Sequence, residues 1–105
     1  RCSMADVVRW TSSAPARAFG LHPRKGSLQP GADADIAVVD PRRTWQVEPG
    51  WWRSKSRNTP FWGWKGRGLP VLTLVRGQVV ASNGRPEGVP VGRLLRPGDA
   101  GASAC

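Results

Sequence analysis

The first hydrophobic pattern has a helical period. Met4, Val7, Val8 and Thr11 fall on one side at spacings of three and four, while Arg9 and Ser12 are left to face water. Ser3 with Asp6 reads as a capping pair, because the serine oxygen can accept an orphan amide and the carboxylate sits in the positive first turn. Pro15 suits the first position of a second short helix, and Gly20 suits the left-handed turn that ends it. Residues 3–20 are therefore predicted to form a helix, a break and one further turn or two, with Ala16, Ala18 and Phe19 buried.

Beyond Gly20 the period changes. Gly26, Pro30 and Gly31 mark two tight turns, and residues 36–39 form a continuous apolar run closed by Asp40-Pro41, the pattern of a central strand. Residues 44–47 alternate and favour β structure, so they predict a second short strand that ends at Pro49-Gly50. Residues 71–75 and 78–81, with Gly77 between them, predict a hairpin. Asn83-Gly84 is a strong turn signal, but the segment after it is too rich in proline and glycine to predict a strand. The last eight residues are small and polar and are expected to fray.

Length and charge narrow the picture. A chain of 105 residues holds one core at most. Sixteen basic and seven acidic residues give a net charge of +9, and residues 51–105, with nine basic and two acidic residues, contribute +7 of it. The stretch 51–68 concentrates four of the six tryptophans, Phe61 and five basic residues with no acid. Interleaved aromatic and cationic side chains describe either a platform for nucleic-acid bases or a segment packed by its rings with a wet cationic rim. Cys2 and Cys105 stand at opposite ends without metal-ligand spacing, and a reduced pair is the expectation. No run approaches the length of a membrane span and no leader is visible, so a cytoplasmic location with no membrane partner is expected. The start at Arg1 suggests that further sequence lies upstream.

Candidate chemistry is sparse. Asp33 and Asp35 lie two apart at the mouth of the first strand, where carboxylates commonly bond nearby amides, and no third ligand is near. His22, the single histidine, follows a helix stop and precedes a proline; it reads as a solvent-facing or capping side chain. No serine or cysteine has a recognisable base partner. Gly63, Gly66 and Gly68 lack the strand before and helix after that a phosphate loop requires. The sequence offers no catalytic, cofactor-binding or metal-ligating residue.

Four ordered segments nevertheless carry a resemblance: SAPARAFGL at 13–21, PRKGSLQPGADADIAVVDP at 23–41, SKSRNTPFWGWKGRGLPVLTLVRGQVV at 54–80 and NGRPEGVPVGRLLRP at 83–97. Together they resemble the carboxyl-terminal tail of the cyclic amidohydrolases, the group of dihydroorotases, hydantoinases (dihydropyrimidinases) and allantoinases. The resemblance implies a fragment of a metal-dependent hydrolase of cyclic amides. In the whole enzyme a TIM-type barrel holds a pair of zinc or similar divalent ions, whose ligands would all lie upstream of Arg1. Residues 1–21 would supply the terminal barrel helices. Residues 22–97 would supply part of a composite β-sandwich with a long Trp/Arg-rich connection at 49–69, and 98–105 a disordered tail. The implied partners are the missing amino-terminal barrel and further subunits of a homo-oligomer. This chain alone is expected to bind no cofactor and to be inactive, with unpaired strand edges and an uncovered helix stripe. Asn58, Thr59, Pro60 and Phe61 would shape a turn, and Trp62 and Trp64 would form its most exposed apolar surface. The competing reading is a small basic nucleic-acid-binding module built on 51–68.

Overall fold

The structure is a computed structural model that describes residues 1–99. It begins with α1, Met4–Val8, where the expected cap is present in reciprocal form. The Asp6 amide donates to Ser3 Oγ at 3.2 Å, and the Ser3 amide donates to Asp6 Oδ2 at 3.0 Å. Two orphan donors are thereby satisfied.

The predicted break is instead a continuous passage. Residues Arg9–Ser13 form a π turn, in which the Ala14 amide donates to the Arg9 carbonyl, and α2, Ala14–Ala18, follows directly. Pro15 has no N–H and would crowd the Thr11 carbonyl in a regular helix, and a widened turn accommodates both defects. Thr11 Oγ1 bonds the Val7 carbonyl at 2.8 Å on the same side. Gly20 reverses the chain with φ +69°, as expected. Of the three residues expected to bury, only Ala16 does; Ala18 is exposed and Phe19 is 70% exposed. The returning loop covers only the Ala16 side. Gly26, at φ +77°, lies so close that an added Cβ would stand 3.0 Å from the Ser12 carbonyl oxygen.

The sheet has four antiparallel strands in the order β1-β2-β3-β4: β1 Ile36–Gln46, β2 Lys65–Val75, β3 Gln78–Ser82 and β4 Arg85–Pro86. The run 36–39 was expected to be central, yet β1 is an edge strand in this chain and β2 is interior. The two short strands expected at 36–39 and 44–47 are one strand. Pro41 is absorbed by a register shift, since Asp40 pairs with Leu69 and the next pair is Thr44 with Arg67. Inside that bulge the Arg42 amide donates to Asp40 Oδ1 at 2.9 Å. β2 starts at Lys65, so the end of the stretch expected to be connection is strand. Arg76 and Gly77, and then Asn83 and Gly84, all have positive φ, which gives the two tight turns joining β2 to β3 and β3 to β4.

Little of this surface is covered. Ala16 and Val47 are the buried apolar residues and Thr59 the buried polar one among the described residues. The radius of gyration is 15.7 Å, where a compact domain of this length has about 13 Å. The accessible surface is 8425 Å², against roughly 5,800 Å² for a folded monomer of this mass.

Candidate functional site

Three places could carry function: a charged cluster behind the helix exit, the aromatic stretch, and the uncovered apolar faces. The cluster is built by the loop between α2 and β1. Lys25 bridges the two aspartates, at 2.8 Å from Asp33 Oδ2 and in contact with Asp35 Oδ2. Arg24 Nε donates to Asp33 at 2.9 Å. Asp35 Oδ1 accepts the Arg76 amide at 2.8 Å, so it bonds an amide as expected, but one in the β2–β3 turn and not in its own turn or strand start. Asp33 differs, because its carboxylate is held by two cationic side chains. A cavity of about 80 Å³ sits beside these groups and is lined also by Val75, Gly92 and Arg93.

Electrostatics follow the geometry. The hydrogen bond from Lys25, with that from Arg24 behind it, holds the Asp33 carboxyl below the usual carboxylate range. For Lys25, partial burial works against the charge, but the bonds and charges of Asp33 and Asp35 outweigh it and raise the ammonium above its ordinary value. Both aspartates are paired with cationic side chains of the same chain. His22 is half-buried, and its backbone amide donates to the Ala16 carbonyl at 3.1 Å, a capping role played by the main chain. Among the described residues no three His, Cys, Asp or Glu side chains gather as a metal site.

The sequence reading found Asp33 and Asp35 but missed Lys25 and Arg24. The signal was available in principle: two consecutive cations precede two aspartates across a glycine-rich turn. Arg43, whose Nη1 donates to Asn83 Oδ1 at 2.7 Å, was likewise unforeseen.

In the aromatic stretch the rings are turned on one another. Trp45 and Trp51 stack with centroids 5.7 Å apart, and Phe61 meets Trp64 edge to face at 5.0 Å. The turn expected at 58–61 lies instead at 60–63, and buried Thr59 just before it accepts the Phe61 amide on Oγ1 at 3.2 Å. Val47 and Trp64 then prolong the β1–β2 ladder, since the Val47 amide donates to the Trp64 carbonyl at 2.8 Å. Gly63 closes the turn, Gly66 lies beneath the Trp45 ring, and Gly68 sits at the bulge with φ +96°. None of the three cradles a ligand loop. Trp64 is 59% exposed, yet Leu28 at 78% and Leu94 at 84% exceed it, which corrects the expectation that Trp62 and Trp64 stand out most. The Phe61 edge shields part of the Trp64 ring.

The third place is the apolar surface itself. Met4, Val7 and Val8 are exposed along α1, and Val38 and Val39 are exposed on β1. These residues have the composition of a core without a covering layer. The excess of about 2,600 Å² over a compact monomer is comparable to what one partner gives to the largest permanent interfaces, on the order of 2,500 Å².

Comparison with known proteins supplies a frame. A family model described as the amidohydrolase family matches residues 1–80. A dihydroorotase from Syntrophus aciditrophicus (strain SB) is 46% identical over 78 residues, which is 74% of this chain and 18% of that protein. The solved L-hydantoinase (dihydropyrimidinase) from Arthrobacter aurescens superposes with a TM-score of 0.76 at 40% identity, covering 81% of this chain and 19% of its own. The D-hydantoinase (dihydropyrimidinase) from a Thermus species superposes with a TM-score of 0.85 at 33% identity, over 92% of this chain and 21% of its own. The chain thus spans about a fifth of the length of these relatives. The nucleic-acid reading of 51–68 finds no support in these likenesses or in rings that pack on each other.

Proposed function

The chain belongs to the amidohydrolase family, and from that premise we propose that it forms the carboxyl-terminal part of a metal-dependent hydrolase acting on carbon–nitrogen bonds of cyclic amides. The observation that carries the reading is a coincidence of two things. The chain is 46% identical to a dihydroorotase of which it spans 18%, and its own elements leave a helix stripe and strand faces uncovered. In this reading α1, the π turn and α2 serve as the last helix on a TIM-type barrel, with Met4, Val7 and Val8 laid against it. The sheet completes a composite β-sandwich with strands from the amino-terminal part, which cover the free edge of β1.

The metal pair that the family implies does not fit the residues present. One histidine is half-buried beside a helix exit, and the two aspartates nearest each other are already neutralised by Lys25 and Arg24. Metal ligands, and with them the ring-opening chemistry, belong to the barrel in this proposal. The role of residues 1–99 is to close the barrel, cover the sandwich and contribute to subunit contacts.

The test is direct. The coding sequence before Arg1 is expected to encode a His-x-His pair and two later histidines. The whole product is expected to hydrolyse dihydroorotate or a hydantoin in a manner abolished by a chelator and restored by a divalent metal. A reading frame without those histidines, or a whole product inert toward both rings after metal loading, would sink the proposal.

A further inference from the structure

Within the described residues no helix packs on a strand: α1, the π turn and α2 contact one another, and strands contact only strands. The angle between helical arm and sheet therefore rests on the loop that joins them and on the segment after β4, whose Pro97 lies beside Gly20 and whose Gly92, Arg93 and Leu95 line the cavity next to Arg24 and Lys25. That loop is anchored at its helix end by the Leu21 and His22 amides, which donate to the Ala16 carbonyl at 2.7 and 3.1 Å. Gly26 pressed against Ser12 and Ala16 fixes the same end. At the sheet end the Gly77 amide donates to the Ala34 carbonyl at 2.9 Å, beside the Arg76 amide on Asp35. Among the described residues one cluster ties the two ends together through side chains, with Arg24 Nε on Asp33 at 2.9 Å beside the bonds of Lys25. Lys25, on the helix side, holds Asp33 and Asp35, on the sheet side, and the Asp33 amide donates to the Arg24 carbonyl at 3.0 Å.

We infer that the Lys25–Asp33–Asp35 cluster is the joint that fixes the orientation of the helical arm relative to the sheet. Apolar contacts tolerate sliding, whereas ion pairs with hydrogen-bond geometry hold direction. The cluster is also shielded enough to matter, with the Lys25 side chain 23% and the Asp33 side chain 13% exposed. Asp35 adds the connection that a simple ion pair would lack, because its second oxygen grips the β2–β3 turn itself. The inference concerns this chain alone and stands apart from the hydrolase reading.

The experiment measures the angle and the sheet separately. Spin labels on the exposed Cys2 and on Lys65→Cys, in a Cys105→Ser background, report the distance between arm and far sheet by pulsed electron resonance. The parent is expected to give one narrow distance distribution. Lys25→Met is expected to broaden it at least twofold while hydrogen exchange of the β2 and β3 amides stays as in the parent, and Lys25→Arg is expected to restore the narrow form. Asp35→Asn, which keeps an acceptor for the Arg76 amide, should broaden it less than Lys25→Met does. An unchanged distribution in Lys25→Met, a parent that is already broad, or a parallel loss of protection in β2 and β3 would each overturn the inference. The last would make the cluster a general prop of the fold.

Discussion

Gly66→Ala isolates a single contact in the aromatic stretch. The backbone at Gly66 does not require glycine, since its φ lies outside the left-handed region. On backbone grounds alone, alanine would add about 0.4–1 kcal/mol of stability by restricting the unfolded chain. The ring above reverses that. A Cβ would come 2.7 Å from Trp45 Cε2 and 3.0 Å from its Cη2, so the indole must move. Overpacking of this kind costs about 1–3 kcal/mol. Moving Trp45 also disturbs its stack on Trp51, an arrangement worth about 0.5–1.5 kcal/mol. The expected net effect is destabilisation by about 1–3 kcal/mol, measured in urea melts followed by far-ultraviolet circular dichroism. The double-mutant cycle with Trp45→Ala supplies the control: without the ring, Gly66→Ala should be neutral or stabilising. A Gly66→Ala chain as stable as the parent, or a penalty that persists in the Trp45→Ala background, would refute the assignment of that glycine to the indole above it.

Three further outcomes follow from the same structure. Gly26→Ala meets both a left-handed φ, about 1–2 kcal/mol for a non-glycine residue, and close contacts with Ser12 and Ser13. It should lower the helical dichroism at 222 nm more than any other single alanine in the loop, and a helical signal equal to the parent's would contradict the packing. Ser3→Ala removes the reciprocal cap and should cost about 1 kcal/mol of helix stability, visible as faster exchange at the Asp6 amide. The pH dependence has two arms. Asp33 titrates lower in the folded chain, so its contribution is present above the unfolded value of about 3.9 and is lost as pH falls through the folded one. Lys25 titrates higher when folded, so its contribution is full below about 10.4 and is lost as pH rises through the raised value. Melting temperature should therefore stay level between about pH 5 and 9, and Lys25→Met should erase its share of the alkaline decline.

The helical segment was legible because its signals are local. Ser3, Asp6 and Gly20 act within one turn of themselves, and each sits where those rules place it. The tight turns at Arg76-Gly77 and Asn83-Gly84 were legible for the same reason. Pro41 and Pro15 misled the reading, since a proline announces a missing donor but not how neighbours will absorb it. In β1 a bulge absorbs it and keeps one strand where two were expected, and in the helix a π turn does. The cluster of Lys25 with Asp33 and Asp35 was half legible. Carboxylates at a strand mouth can be seen in sequence, while their partners depend on how the loop folds back.

Burial was the property least legible, and the reason is physical. An apolar stripe records that a face is stable only when covered, but it carries no information about what covers it. Met4, Val7 and Val8 have a helix-packing pattern without a neighbouring helix or strand, and Val38 and Val39 have a core-strand pattern on an edge strand of the sheet. The tryptophans of 51–68 are different, because Trp45, Trp51, Phe61 and Trp64 partly satisfy one another. Composition alone therefore ranked the aromatic stretch as the main uncovered surface, whereas the larger deficit lies along the helix, at Phe19 and at Leu28 and Leu94. Local rules are obeyed in this chain while its apolar faces stay open among the described residues. The amidohydrolase relatives, of which it spans about a fifth, provide the kind of body against which those faces would close.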